Sequence, residues 1–122
     1  MVKRILIVDD DAELAQELAE VLRDCGFSVD NISDSINGKT LIEQNSYDIY
    51  LLDYKMSGLN GIDLLKRIKE KNMKSLVFIV SGRPFIENVL KEENVDSLVA
   101  GVIKKPFDVE ALLQTIKSVA IA

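Results

Sequence analysis

Four apolar runs in this chain end on residues that can do chemistry. Ile5-Leu6-Ile7-Val8 runs into Asp9-Asp10-Asp11, and Ile49-Tyr50-Leu51-Leu52 runs into Asp53. Leu76-Val77-Phe78-Ile79-Val80 runs into Ser81-Gly82, and Gly101-Val102-Ile103 into Lys104-Lys105-Pro106. Short uninterrupted apolar runs are the pattern of strands buried on both faces of a parallel sheet. In open parallel sheets reactive groups gather just beyond the carboxyl ends of the strands. An isolated Asp53 could equally cap a loop; what argues for a site is the repetition at four run ends. Carboxylates, a hydroxyl and an ammonium then converge on one sheet edge. The chain has no histidine and one cysteine, Cys25. That removes ordinary zinc sites and every His-based nucleophilic or acid–base arrangement. Any chemistry must run on carboxylates, hydroxyls, lysines or a bound metal.

The acidic corner is the most informative part. The end of a first strand and the start of a first helix normally attract phosphate through oriented backbone amides. Here that corner carries Asp9, Asp10 and Asp11 and no glycine-rich loop, so a nucleotide or flavin phosphate is repelled. Two unit negative charges about 5 Å apart repel by about 3 kcal/mol at an effective dielectric of about 20. Asp9, Asp10 and Asp53 together therefore call for a cation, or for one of them to stay protonated. Oxygen-only ligands suit a hard divalent ion such as Mg²⁺. The plainer alternative is an Asp run that only caps a helix.

The elements that position these residues follow from periodicity. Lys3 to Val8 reads as a first strand. Asp10 or Asp11 caps a helix with apolar positions Leu14, Leu18, Val21, Leu22 and Cys25, stopped by Gly26. Phe27 to Ile32 is a second strand, and Ser33 to Asn45, with Gly38 inside, a weaker helix. Asp48 to Asp53 is the third strand. Asn60-Gly61 opens a helix through Ile62, Leu65 and Ile68 that ends in lysines suited to a helix C-terminus. Leu76 to Val80 is the fourth strand, and Pro84 fits the first turn of the next helix, which runs to about Asn94. Gly101 to Lys104 is the fifth strand. Asp108 caps a last helix through Leu112, Leu113, Ile116 and Val119. Strict alternation of strand and helix predicts an α/β fold, a five-stranded parallel sheet with helices on both faces.

Composition sets the outer bounds. The 122 residues, 48% apolar, suit one domain spanning residues 1–122 with a compact core. A net charge of −5 argues against general binding to nucleic acid. No apolar run of 18 residues is present, so no membrane span is expected. Met1-Val2-Lys3-Arg4 leads into four apolar residues and then aspartates, which is no secretion signal. One cysteine forms no internal disulfide, and a cytoplasmic location is the simplest expectation.

Taken together, Asp9-Asp10, Asp53, Ser81 and Lys105-Pro106-Phe107, in that order at four strand ends, resemble the receiver domain of two-component response regulators. The resemblance covers essentially the whole chain. It implies the flavodoxin-like strand order 2-1-3-4-5. It implies that Asp53 takes a phosphoryl group from a phosphohistidine, with Ser81 and Lys105 contacting the phosphoryl oxygens. It also implies that Asp9, Asp10, Asp53 and Lys55 serve a Mg²⁺ site, and that the Lys105-Pro106 peptide bond is cis. The implied partners are a sensor histidine kinase or phosphotransfer protein and a downstream output domain or target. A phosphorylation-dependent dimer belongs to the same expectation; direct nucleic-acid or membrane contact does not. The final residues Ala120-Ile121-Ala122 suit either a stand-alone receiver or one taken from a longer regulator.

Three departures accompany the resemblance. Ser57 stands where the family often has proline, which loosens the loop after Asp53. Val102 stands where many members have the Tyr or Phe of the switch. The segment from Ser81 to Lys105 looks about two residues longer than usual, which puts the fourth helix in question. A haloacid dehalogenase type of phosphatase would need a second Asp two positions after its nucleophile, where this chain has Lys55. A receiver-like module that binds a partner without phosphorylation is the other alternative.

Overall fold

The computed structural model describes residues 2–120, so Met1, Ile121 and Ala122 lie outside the described residues. Five strands, β1 (Arg4–Val8), β2 (Ser28–Ile32), β3 (Ile49–Asp53), β4 (Leu76–Ser81) and β5 (Gly101–Lys104), form one parallel sheet in the order 2-1-3-4-5. Five helices connect and follow them: α1 (Ala12–Asp24), α2 (Ser35–Gln44), α3 (Gly61–Lys71), α4 (Ile86–Glu92) and α5 (Val109–Ala120). This is the parallel sheet covered on both faces that the alternation predicts, in the flavodoxin-like strand order that the resemblance implied.

Strand pleating explains why both faces are covered. Successive strand side chains point to opposite faces. Ile5 and Ile7 join Ile49, Leu51, Phe78 and Val80 in a layer under α1 and α5, completed by Ala15, Leu18, Leu22, Leu112 and Ile116. Leu6 and Val8 join Tyr50, Leu52, Val77 and Ile79 in the opposite layer, under Ile42 of α2, Leu65 and Ile68 of α3, and Leu90 of α4. Every residue of β3 is buried, as a central strand between two helical layers requires.

Local signals set the helix ends. Asp11 caps α1, its carboxylate accepting from the Leu14 N–H at 3.1 Å. Asn60 and Asp63 close a reciprocal capping box at the start of α3. The region after β4 differs from expectation. Pro84 is not in the first turn of a helix, because α4 begins at Ile86 behind Phe85, whose backbone is left-handed at φ 59°. The helix also ends early, at Glu92. Asn94, left-handed at φ 60°, and a 3₁₀ turn at Asp96–Leu98 then carry the chain to β5. The residues between Glu92 and Gly101 thus form turns instead of continuing the helix.

The join between β3 and α3 is tight. A Cβ placed on Gly61 would lie 2.7 Å from the Asp53 carbonyl oxygen and 3.1 Å from the Tyr54 Cα. Only glycine lets the helix start that close to the strand end. Helix propensity alone would favour alanine by about 1 kcal/mol, yet backbone atoms cannot step aside as a flexible side chain can. We expect Gly61→Ala to lower stability by about 1–3 kcal/mol, the usual range for overpacking. Urea unfolding of the two proteins measures it, and a variant as stable as the parent would contradict the close approach.

Candidate functional site

Register brings the reactive residues together. Val8 lies opposite Leu52 and Asp53 opposite Val80. Asp9, one residue beyond Val8, is therefore level with Asp53 on the neighbouring strand, at the ~4.8 Å spacing of a sheet. Ser81 closes β4 opposite Lys104, and Lys105 follows immediately. A slip of one residue in either pairing would turn a carboxylate into the core.

The carboxylate oxygens of Asp9, Asp10 and Asp53 gather within 4.8 Å of one another. Asp9 and Asp53 are 5% and 6% exposed, whereas Asp10 is open to solvent. The Lys105 ammonium sits 3.0 Å from Asp9 Oδ2 and 3.5 Å from Asp53 Oδ1, donating a hydrogen bond to Asp9 Oδ1 at 3.2 Å. Asp9 Oδ1 also accepts the Asp11 N–H at 3.0 Å. Lys105 is positioned by its own backbone N–H, which donates to the Ser81 carbonyl at 2.9 Å, and is followed by a cis peptide bond to Pro106. The Ser81 Oγ accepts the Arg83 N–H at 2.9 Å, which leaves its own hydrogen to donate. The Lys55 side chain is exposed, two residues beyond Asp53 in the loop after β3.

One cation among three carboxylates leaves excess negative charge. Burial raises the Asp53 pKa, and the charge of Asp9 raises it further; Lys105 opposes them, and the result is about 7. Burial by itself would lower the Lys105 pKa, but its hydrogen bond to Asp9 and the charges of Asp9 and Asp53 raise it overall. The donors are all carboxylate oxygens converging on one point, which is the set a hard divalent cation takes.

Sequence reasoning missed two contacts. The Arg83 guanidinium lies 5.7 Å from the Tyr54 ring centroid, joining the loop after β3 to the loop after β4 by a cation–π contact. The loop after Asp53, where Ser57 replaces the family's frequent proline, is held by a contact from α2. The Ser35 hydroxyl donates to the Ser57 carbonyl at 2.7 Å and accepts the Leu59 N–H at 3.0 Å. No spacing rule links Ser35 to residues 22 and 24 positions away, so neither contact carries a sequence signal.

The raised Asp53 pKa has a signed consequence for the metal-free protein. The folded-state value, about 7, exceeds the unfolded value near 3.9. Between those limits the folded chain holds a proton that the unfolded chain releases, so stability falls as pH rises through that window. Asp53→Asn removes this penalty. In chelator at pH 8 the variant should be the more stable by at least about 1 kcal/mol, with the gap closing near pH 4.5. Thermal melts across pH measure it; equal stability at pH 8 would be incompatible with the charge crowding described.

Comparison with known proteins places this geometry. The sequence matches the response regulator receiver domain family over residues 5–117. It is 32% identical over 118 residues to the DNA-binding response regulator MtrA of Mycobacterium tuberculosis, covering 97% of this chain and 50% of that protein. It is 29% identical to the transcriptional regulatory protein DltR of Streptococcus agalactiae, over 93% of this chain and 50% of that one. The chain thus spans about half the length of these curated relatives. Among solved structures, a CheY-like response regulator receiver domain protein from Methanospirillum hungatei superposes with a TM-score of 0.86 at 28% identity, over 97% of this chain and 93% of that one. The receiver domain of the Francisella response regulator 1452 gives 0.81 at 30% identity, over 94% and 93%. A sheet of order 2-1-3-4-5 with acidic, hydroxyl and ammonium groups at its carboxyl edge, matched over residues 5–117, makes this chain a member of the response regulator receiver domain family, the phosphoacceptor modules of two-component signalling.

Proposed function

We propose that Asp53 is the phosphoacceptor, Ser81 and Lys105 its catalytic partners, and Asp9, Asp10, Asp53 and Lys55 the Mg²⁺ site. The observation that carries this reading is the Lys105 ammonium bridging two buried carboxylates at the sheet edge. An Asp53 carboxylate oxygen attacks phosphorus, the P–N bond of the donor phosphohistidine breaks, and the imidazole leaves with that electron pair. Little covalent work falls to the protein, which has to place groups and neutralise charge. Once Asp53 carries the phosphoryl group as an acyl phosphate, the carboxylate charge it has lost frees Lys105 to pair with a phosphoryl oxygen, and the Ser81 hydroxyl donates to another. Lys55 has no acceptor on its side chain, so it serves a metal only through its backbone carbonyl oxygen. Mg²⁺ in this all-oxygen set supplies positive charge against the carboxylates and the phosphoryl oxygens.

In this reading the chain acts as one receiver domain over residues 1–122 and catalyses only its own phosphotransfer and dephosphorylation. Its partners are a histidine kinase or phosphotransfer protein and, downstream, an output domain or target, with a dimer on phosphorylation and a cytoplasmic setting. Absence of histidine from the chain supports a donor imidazole from elsewhere. The net charge of −5 supports an output that does not use this domain to grip nucleic acid. Among the described residues no helix is long and apolar enough to cross a membrane.

Intact mass spectrometry after incubation with Mg²⁺ and acetyl phosphate provides the test. The parent chain should gain one phosphoryl group, Asp53→Asn none, and Lys105→Ala far less in the same time. Equal labelling of the parent and Asp53→Asn would move the acceptor to another residue.

A further inference from the structure

Ser35 is a buried hydroxyl that the phosphorylation chemistry does not use. It opens α2 and is 1% exposed, far in sequence from every reactive group. Its oxygen makes two bonds to the loop that follows Asp53: it donates to the Ser57 carbonyl at 2.7 Å and accepts the Leu59 N–H at 3.0 Å. Between these lies Gly58 at φ 84°, where a Cβ would come within 3.0 Å of the Ser35 Oγ. The loop tip is thus packed directly on the hydroxyl.

The base of the same loop is fixed separately. The Tyr54 N–H donates to the Val80 carbonyl and the Gly61 N–H to the Tyr54 carbonyl, both at 2.9 Å. Two pins, one at the base and one at the tip, leave Lys55 and Met56 held between them. The element carrying Ser35 is itself anchored at the acidic corner. A Cβ at Gly38 of α2 would lie 2.9 Å from Val8 Cγ1, and the Asp9 N–H donates to the Ile32 carbonyl at 3.1 Å. One chain of contacts therefore runs from Asp9 through α2 and Ser35 to the loop that leaves Asp53.

We infer that Ser35 is a positioning residue for the cation site: it holds the loop after Asp53 so that the Lys55 backbone oxygen and the carboxylates are preset for Mg²⁺. This rests on the Mg²⁺-dependent reading above. Residues that orient metal ligands without touching the metal commonly change affinity about 10–100-fold when removed. Ser57, where proline would stiffen the loop, makes this external brace the more consequential.

The test titrates Mg²⁺ into the parent chain and Ser35→Ala by calorimetry, and follows acetyl phosphate labelling against Mg²⁺ concentration. Ser35→Ala should raise the Mg²⁺ Kd about tenfold and shift the labelling curve equally, with the rate at saturating Mg²⁺ largely restored. In metal-free protein the Leu59 amide should exchange faster than in the parent. Thr40→Ala, which removes an exposed α2 hydroxyl bonded only to the Ile36 carbonyl, should leave the Kd unchanged. Ser35→Cys, near in shape but a weak hydrogen-bonding group, should also raise the Kd, and it decides the matter should Ser35→Ala not fold. A parent-like Kd in a folded Ser35 variant overturns the positioning role alone. A parent chain that neither binds Mg²⁺ nor is labelled overturns the positioning role together with the phosphoacceptor reading.

Discussion

Asp9 and Asp53 stand side by side because two parallel strands pair in a register that leaves both carboxylates level at the sheet edge. Water is nearly excluded from both, so their repulsion is weakly screened. Lys105 answers one unit of that charge, and a proton or a divalent cation must answer more. The site is thus less than optimal for the resting fold, with more negative charge gathered at the sheet edge than Lys105 neutralises. Proteins commonly give up stability in this way where function needs it.

The remainder of the molecule keeps those charges from moving apart. Two apolar layers, one on each face of the sheet, lock the strands, and close-packed interiors transmit displacement instead of absorbing it. The loops bearing the reactive residues are tied to that scaffold at several points. Tyr54 bonds to β4, Lys105 bonds to the end of β4 through its backbone, and Ser35 reaches across from α2. Arg83 over Tyr54 links the loops after β3 and β4. Together these ties place the loops on a shared foundation around the acidic cluster.

The segment leading from β4 to β5 has a different character. Phe85 is left-handed and 74% exposed, α4 is two turns long, and a 3₁₀ turn separates it from β5. Val102 lies opposite Ile79 and packs on the layer beneath α2, α3 and α4. Its β-branched side chain is restricted at χ1 and is too short to sweep between inner and outer positions as a large aromatic does. Around Ser81 and Gly82 the backbone is less tightly packed than at Gly38 or Gly61, since a Cβ on Gly82 would meet Lys105 only at ordinary contact distance, 3.6 Å.

Strand and helix types, their alternation and the residues at each strand end were legible in the sequence, because periodicity and polarity breaks are local properties. The apolar runs ending at Asp9, Asp53, Ser81 and Lys105 told which residues belong to one edge, and the crowded carboxylates told that a cation or a retained proton was needed there. Resemblance to receiver domains added the strand order. Other features required the folded chain. Pro84 reads locally as a helix start, yet the left-handed turn at Phe85 delays α4 to Ile86. Ser57 reads as a loosened loop, yet a hydroxyl 22 residues earlier braces it. The preference of Lys105 for Asp9 over Asp53 is a matter of distances between separate strands. What the sequence determined by itself is what neighbours along the chain can specify; which distant groups meet, and at what separation, was decided only when the sheet register and the two apolar layers brought them together.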